Sequence, residues 1–269
     1  MKSIIVSSLL IVALVACKST TSKEVEQSAA TTSNDGPTIA ANSQDDKMAA
    51  IDQQLDKLSR IESLNYSKED GTSISAIAYM ASQDTIAKVE VKQYNAKTVT
   101  NPKIHFYYDK GLLFASKKLE EKIIDQTAYF SEEVSFYNEK GDVIQSKERI
   151  SDYEEGLINA AYKKINNVTH DPTEAFLVLK QQGPFAVTFQ GFVDNGPYHF
   201  LIVGENVAKD GYTAALSIQK EDATIKYLRN EGKKALGKEL MVQFVNHMDN
   251  QGYEMQILTD LALVERKKK

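Results

Sequence analysis

Residues 104–115 read IHFYYDKGLLFA, and this stretch is the strongest indicator of the fold class. Two aromatic and aliphatic runs, 104–108 and 112–115, flank the short turn Asp109-Lys110-Gly111. A short turn that contains glycine between two such runs is typical of a β-hairpin. The stretch therefore predicts two paired antiparallel strands.

The same design recurs on both sides of this hairpin. Strand-like runs at 134–137 and 143–146 flank a turn that contains Gly141, and 73–79 and 86–91 form an earlier strand-like pair. Apolar residues spaced by three and four predict a short amphipathic helix before these runs: Met48, Ile51, Leu55 and Leu58. Residues 46–152 are thus predicted to form one helix and an antiparallel β-meander domain.

A helical linker is predicted at residues 153–183. Apolar residues at helical spacing predict one helix over 153–165: Leu157, Ile158, Ala161 and Ile165. Asp171, Pro172 and Glu174 have the spacing of a helix start, and Gly183-Pro184 the character of a helix stop. A second helix is therefore expected over about 171–182.

Residues 184–269 are predicted to form a small β-barrel. Three strand-like runs, an irregular or helical insertion and two further runs follow the order of a five-stranded OB barrel. The runs 237–244 (GKELMVQF) and 257–264 (ILTDLALV) resemble strands four and five of the OB-like, anticodon-binding-like domains of bacterial lipoproteins. A different small barrel or a sandwich is the alternative. The expected fold class is mainly β with a few helices (α+β).

The amino terminus has the pattern of an export signal. Lys2 is followed by an apolar run of about twelve residues, which is too short to cross a bilayer as a helix, and then by Leu14-Val15-Ala16-Cys17. This ending resembles the lipobox of bacterial lipoproteins. The resemblance implies cleavage after residue 16, a diacylglyceryl group on Cys17, and a fatty acyl chain such as palmitate on the new amino terminus. An ordinary signal peptide with a stray cysteine is the alternative.

The segment after Cys17 predicts a flexible tether over residues 17–45. It is rich in small polar residues and lacks aromatic ones, so it cannot bury enough apolar surface to order itself. Lys18 stands where an aspartate would suggest inner-membrane retention. The expected location is therefore the cell envelope, anchored by lipid and most consistent with an outer membrane facing the periplasm.

Composition and charge narrow the classes of function. The chain has 32 basic and 37 acidic residues, a single Cys and a formal net charge of −5, which disfavours disulfide scaffolds, Cys-based zinc sites and nucleic acid as a partner. The part from Pro172 onward carries 12 basic and 12 acidic residues, so it has no excess positive charge for a nucleic acid.

No motif for catalysis or for cofactor binding is recognisable in the sequence. His105, His170, His199 and His247 lie far apart, and the paired carboxylates Glu132-Glu133 and Glu154-Glu155 diverge on either a strand or a helix. The sequence therefore predicts no catalytic residue, no cofactor and no metal site. The one predicted site residue is Cys17, for lipidation.

The expected function is a lipid-anchored, non-catalytic binding or scaffold module for a peptide, a glycan or an envelope protein. OB barrels bind such extended ligands on one face. The alternatives are an envelope hydrolase with an unrecognised site and a structural assembly component.

Overall fold

The structure is a computed structural model that describes residues 43–205, 210–248, 252 and 254–264. These residues belong to one compact unit. The predicted signal peptide (1–16), the lipidation site Cys17 and most of the predicted tether lie outside the described residues. Among the helices that are described, none combines the length and the apolar character needed to span a bilayer.

Strands dominate the described residues, as the sequence predicts. They are β1 (Ser59–Glu62), β2 (Tyr66–Ser67), β3 (Ser73–Ser82), β4 (Thr85–Tyr94), β5 (Lys103–Asp109), β6 (Leu112–Ile124), β7 (Thr127–Tyr137), β8 (Val143–Ser151), β9 (Lys163–Ile165), β10 (Phe189–Asn195), β11 (Tyr198–Gly204), β12 (Thr213–Ser217), β13 (Leu240–Met248) and β14 (Glu254–Leu263). The α-helices are α1 (Gln44–Asp52), α2 (Thr173–Leu179) and α3 (Ala223–Glu231). Short 3₁₀ helices lie at Leu55–Lys57, Glu154–Asn159, Gly183–Phe185 and Gly232–Ala235.

The strands form one mixed sheet. From β3 to β9, each strand pairs antiparallel with the next along the chain. The sheet path is open and runs β10-β11-β12-β2-β3-β4-β5-β6-β7-β8-β9, with β1 beside β3 and β14 between β12 and β13. The pairing of β12 with β14 is parallel and joins Ser217 to Ile257.

The main hydrophobic core lies on one face of β3 to β5. Alternate residues of β3 and β4 point into it, including Ile74, Ala76, Val89 and Val91. Buried residues of α2, α3 and β10 to β14 pack into the same core, so residues before 152, between 153 and 183, and after 184 all contribute to it. The alternation of strand side chains leaves the opposite face of β3 and β4 free for polar residues.

Helix α1 lies over part of that opposite face. Ser43 caps the helix, and Met48 packs into a second apolar cluster with Tyr107 and Phe114. The helix is shorter than the one predicted from Met48, Ile51, Leu55 and Leu58. It stops at Asp52, and a separate 3₁₀ turn follows at Leu55–Lys57.

The helix predicted over residues 153–165 is wrong. A 3₁₀ helix spans Glu154–Asn159, and strand β9 pairs with β8 instead. The reason is that the apolar residues do not share one buried face: Leu157 is 4% exposed, whereas Ile158 is 77% exposed. Tyr162 instead reaches the sheet and donates a hydrogen bond to Glu132.

The second helix of the predicted linker is present but shorter. Helix α2 runs Thr173–Leu179, and the Asp171 carboxylate accepts a hydrogen bond from the Thr173 backbone N–H at 2.9 Å. Thr173 also donates from its hydroxyl to the same carboxylate oxygen at 2.6 Å. These bonds account for the helix start that the sequence predicts near this position.

Candidate functional site

The four histidines lie in separate places. His105 is on β5, His170 precedes α2, His199 is on β11 and His247 is on β13. Within the described ranges, no group of three or more His, Cys, Asp or Glu residues has an arrangement that fits a metal ion.

One histidine grouping has the components of a nucleophilic triad. Ser116 Oγ lies 2.8 Å from His170 Nδ1, and His170 Nε2 lies 2.8 Å from Glu133 Oε1. Sequence reasoning missed this grouping because its three residues come from β6, β7 and the segment before α2. His170 Nε2 and Glu133 Oε1 form no hydrogen bond with any described residue, so the two atoms are in close contact only.

In the described conformation this grouping is largely buried and has a structural role. We call Ser116, His170 and Glu133 the clasp, because they connect the segment before α2 to the sheet. Ser116 is fully buried, and its hydroxyl also contacts Tyr137 Oη at 3.0 Å. Burial lowers the pKa of His170, and the charge of the neighbouring Glu133 partly offsets this shift. Ser135 Oγ donates to the Val168 carbonyl at 2.7 Å close by. Together these bonds fasten the segment before α2 to the sheet.

A polar cleft of about 380 Å³ offers an accessible alternative. Its floor is the polar face of β3 and β4, and its walls come from β1, β13, β14 and the loop before β5. We define the polar cleft by the lining residues that carry the argument: Glu62, Ser73, Ser75, Glu90, Lys92, Tyr94, Asn101, Asn246 and Glu254. A volume of this size lies in the range of small-molecule binding sites.

Strand register positions the floor of the cleft. Ser75 stands directly opposite Lys92, and Ser73 directly opposite Tyr94, in the antiparallel pairing of β3 with β4. Directly opposed residues project from the same side of a sheet, so all four side chains share the face that the core does not use. The cleft floor is therefore built on two directly paired strands.

A buried glutamine supports one wall. Gln256 is 3% exposed, and its Oε1 accepts a hydrogen bond from the Asn65 backbone N–H at 2.8 Å. Its Nε2 donates to the Ser63 carbonyl at 3.1 Å and to Asn246 Oδ1 at 2.9 Å. Asn246 Nδ2 in turn donates to the Glu62 carboxylate. This chain of bonds fixes β14 against the segment between β1 and β2.

The charge of Glu90 is largely compensated. Its Oε1 lies 2.7 Å from Lys88 Nζ, and its Oε2 accepts a hydrogen bond from the Tyr79 hydroxyl at 3.1 Å. Burial, followed by the Glu90 charge, raises the pKa of Tyr79 to about 12, so this tyrosine remains a donor. Glu90 thus connects the cleft to the ionic contacts beneath α1.

Several cleft side chains remain available for a ligand. Ser75, Lys92, Tyr94, Asn101 and Glu254 form no side-chain hydrogen bond or ion pair with any described residue. They supply hydroxyl, ammonium, amide and carboxylate groups around one opening. Polar groups that converge on a cleft without partners are the usual means of ligand recognition.

The sequence contains only a partial signal for this cleft. The alternation of Ser73 and Ser75 with apolar residues indicates a polar strand face, but Asn246 and Glu254 lie about 170 residues away in the chain. Strands β1 and β2, which bring the wall residue Glu62 into place, were not predicted. The only site residue that the sequence does predict, Cys17, lies outside the described residues.

Comparison of the chain with protein-family models, with curated proteins and with solved structures gives no match.

Proposed function

We propose that this protein is a lipid-anchored, non-catalytic binding module of the bacterial cell envelope, and that the polar cleft is its ligand site. The ligand is a peptide, a glycan or an envelope protein. The observation that carries the proposal is the set of five polar side chains that line one cleft on the sheet and have no partner among the described residues.

The location in this proposal rests on the lipobox. Leu14-Val15-Ala16-Cys17 closes an export signal, and Cys17 is the chain's single cysteine, so it has no disulfide partner within the chain. Two or three acyl chains anchor a protein stably, whereas one chain binds only marginally. We place the anchored protein at the outer membrane, facing the periplasm.

We also propose an OB-like barrel within residues 184–269. Three features support it: the antiparallel β10-β11-β12 ladder, helix α3 between β12 and β13, and the parallel pairing of β12 with β14. A bridge between Thr188 and Glu239 links the approach to β10 with the approach to β13. Five strands joined in this order would leave one face for an extended ligand.

Cross-linking in intact cells tests the binding function. Ser75→Trp fills the floor of the cleft, while Ser82→Trp adds the same ring at an exposed position on the same strand. We expect the wild type and Ser82→Trp to form a discrete adduct that Ser75→Trp loses. An adduct unaffected by Ser75→Trp, or no adduct in any strain, contradicts the proposal.

The second candidate function is an envelope hydrolase that uses Ser116, His170 and Glu133. The observation in its favour is the pair of 2.8 Å contacts described above. It requires an opening that exposes the fully buried Ser116. Labelling with a fluorophosphonate probe, lost in Ser116→Ala, would favour this function over the binding module.

A further inference from the structure

We infer that the polar cleft binds a neutral oligosaccharide. This inference rests on the proposed binding function and names the ligand class of the same site.

The available groups match a hydroxyl-rich ligand. The Asn101 amide can donate and accept at once, Ser75 does the same through one hydroxyl, and Glu254 accepts from sugar hydroxyls. Opposed side chains on a sheet stand about 5 Å apart and alternate residues along a strand about 7 Å apart. Groups at this spacing can contact successive hydroxyls on one sugar ring or on adjacent rings.

Tyr94 provides an aromatic surface at the cleft. It is 38% exposed, and its hydroxyl has no partner among the described residues. An aromatic ring combines a large apolar area with few rotatable bonds, which suits it to pack against the C–H face of a pyranose. The ring and the polar groups together can contact both the C–H and the O–H groups of a sugar.

The cleft floor lacks the features that recognise an extended peptide. β3 is paired with β1, β2 and β4, and β4 is paired with β3 and β5, so neither strand presents a free edge there. Peptides that add to a sheet require such an edge for their main-chain hydrogen bonds. The floor can therefore contact a ligand only through its side chains and not through main-chain hydrogen bonds.

The charge of the lining favours a neutral ligand over an acidic one. Three carboxylates line the cleft, from Glu62, Glu90 and Glu254, against the one ammonium of Lys92. Lys88 compensates Glu90, but Glu254 has no cationic partner among the described residues. The negative charge of a uronate or sialate would be repelled by this carboxylate, whereas a neutral sugar would only hydrogen-bond to it.

The experiment uses the full lipidated chain in a zwitterionic detergent without a sugar headgroup. The probe is an array of neutral oligosaccharides (glucose, galactose, mannose and N-acetylglucosamine units) and acidic ones (uronate and sialate units). We expect binding to at least one neutral oligosaccharide, weakened tenfold or more by Tyr94→Ala and by Asn101→Ala. Tyr198→Ala, which removes another exposed tyrosine, should bind as the wild type does.

The outcomes separate this inference from the proposed function. Binding to acidic oligosaccharides alone, binding that neither cleft variant weakens, or no binding overturns the inference. If the array is blank but the cellular adduct is lost in Ser75→Trp, the binding function stands and only the glycan class fails. Thermal unfolding of each variant shows whether a loss of binding comes from a loss of folding.

Discussion

Lys88 Nζ lies 2.8 Å from Asp52 Oδ1, and this contact fastens the first helix of the folded unit to the sheet. The Lys88 side chain is only 3% exposed, and the carboxylates of Asp52 and Glu90 compensate its buried ammonium group. Asp52 also accepts a hydrogen bond from the Tyr107 hydroxyl at 3.1 Å. The helix that follows the predicted tether is thus held by a partly buried ionic contact.

Asp52→Asn should lower the free energy of unfolding by about 2 kcal/mol, because it removes one of two carboxylates that compensate a buried ammonium. The loss stays below that of a fully orphaned charge, since Glu90 remains 2.7 Å from Lys88. Urea denaturation measures the change. Asp56→Asn, at an exposed aspartate in the next turn, is the control and should change stability by less than about 0.5 kcal/mol. Equal effects of the two substitutions would show that the contact contributes nothing.

Gly204→Ala should destabilise the fold by about 3 kcal/mol or prevent folding. Gly204 has φ +127°, and an added Cβ would lie 2.2 Å from the Tyr212 carbonyl oxygen. Thermal unfolding is the measurement. Gly141→Ala is the matched control, because Gly141 has φ +87° but no atom within 4 Å of an added Cβ. A smaller loss of melting temperature in Gly204→Ala than in Gly141→Ala would contradict the close approach of β11 to Tyr212.

His105 should make the fold less stable as the pH falls below about 6.5. Burial, followed by the charges of Lys88 and Lys117, lowers its pKa from 6.5 to about 2. Between these values the unfolded chain binds a proton that the folded chain does not, so stability falls with decreasing pH by up to about 1.4 kcal/mol per pH unit. Burial shifts the pKa of His170 in the same direction.

His105→Gln should therefore reduce the loss of stability between pH 6.5 and pH 4.5. Urea denaturation at each pH measures it, with exposed His247→Gln as the control. The quantity compared is the slope of the free energy of unfolding against pH. A constant difference in stability that altered packing causes at every pH does not change this slope. A slope that is unchanged in His105→Gln would contradict the assignment.

Cys17→Ser should release the protein from the membrane and leave the folded unit intact. Cys17 precedes the first described residue by 26 positions in the sequence, and each acyl methylene that enters the bilayer contributes about 0.8 kcal/mol of anchoring. Metabolic labelling with a fatty acid, followed by cell fractionation, measures the change. If the wild type takes up no label, or the variant stays in the membrane as a correctly cleaved protein, the lipoprotein proposal fails.

Local patterns predicted most of the strands. The glycine-containing turns at Gly111 and Gly141 lie between paired strands at the expected places, because hairpin formation depends on neighbouring residues. The run 153–165 misled the prediction because its apolar spacing fits a helix, while Tyr162 gains a hydrogen bond to Glu132 only when the chain extends along β8. Tertiary contact therefore decided the structure there.

The polar cleft could not be predicted from the sequence either, because it also depends on tertiary contacts. Its floor is encoded by the alternation along β3 and β4, but its walls depend on Gln256, which bonds to Asn65 and Ser63 across about 190 residues of chain. The Ser116–His170–Glu133 clasp is likewise assembled from three separate segments. No spacing rule connects such positions before the fold is known.

The most direct test of the central claim, that the polar cleft holds a ligand in the cell envelope, is site-specific photo-cross-linking in growing cells. Tyr94 is replaced by the photoreactive analogue p-benzoylphenylalanine, and Tyr198 is replaced in a second strain as the matched exposed site. We predict a discrete adduct at position 94 that is absent at position 198 and that Ser75→Trp abolishes in the same strain. Adducts of equal yield at both positions, or none at position 94, would contradict the claim.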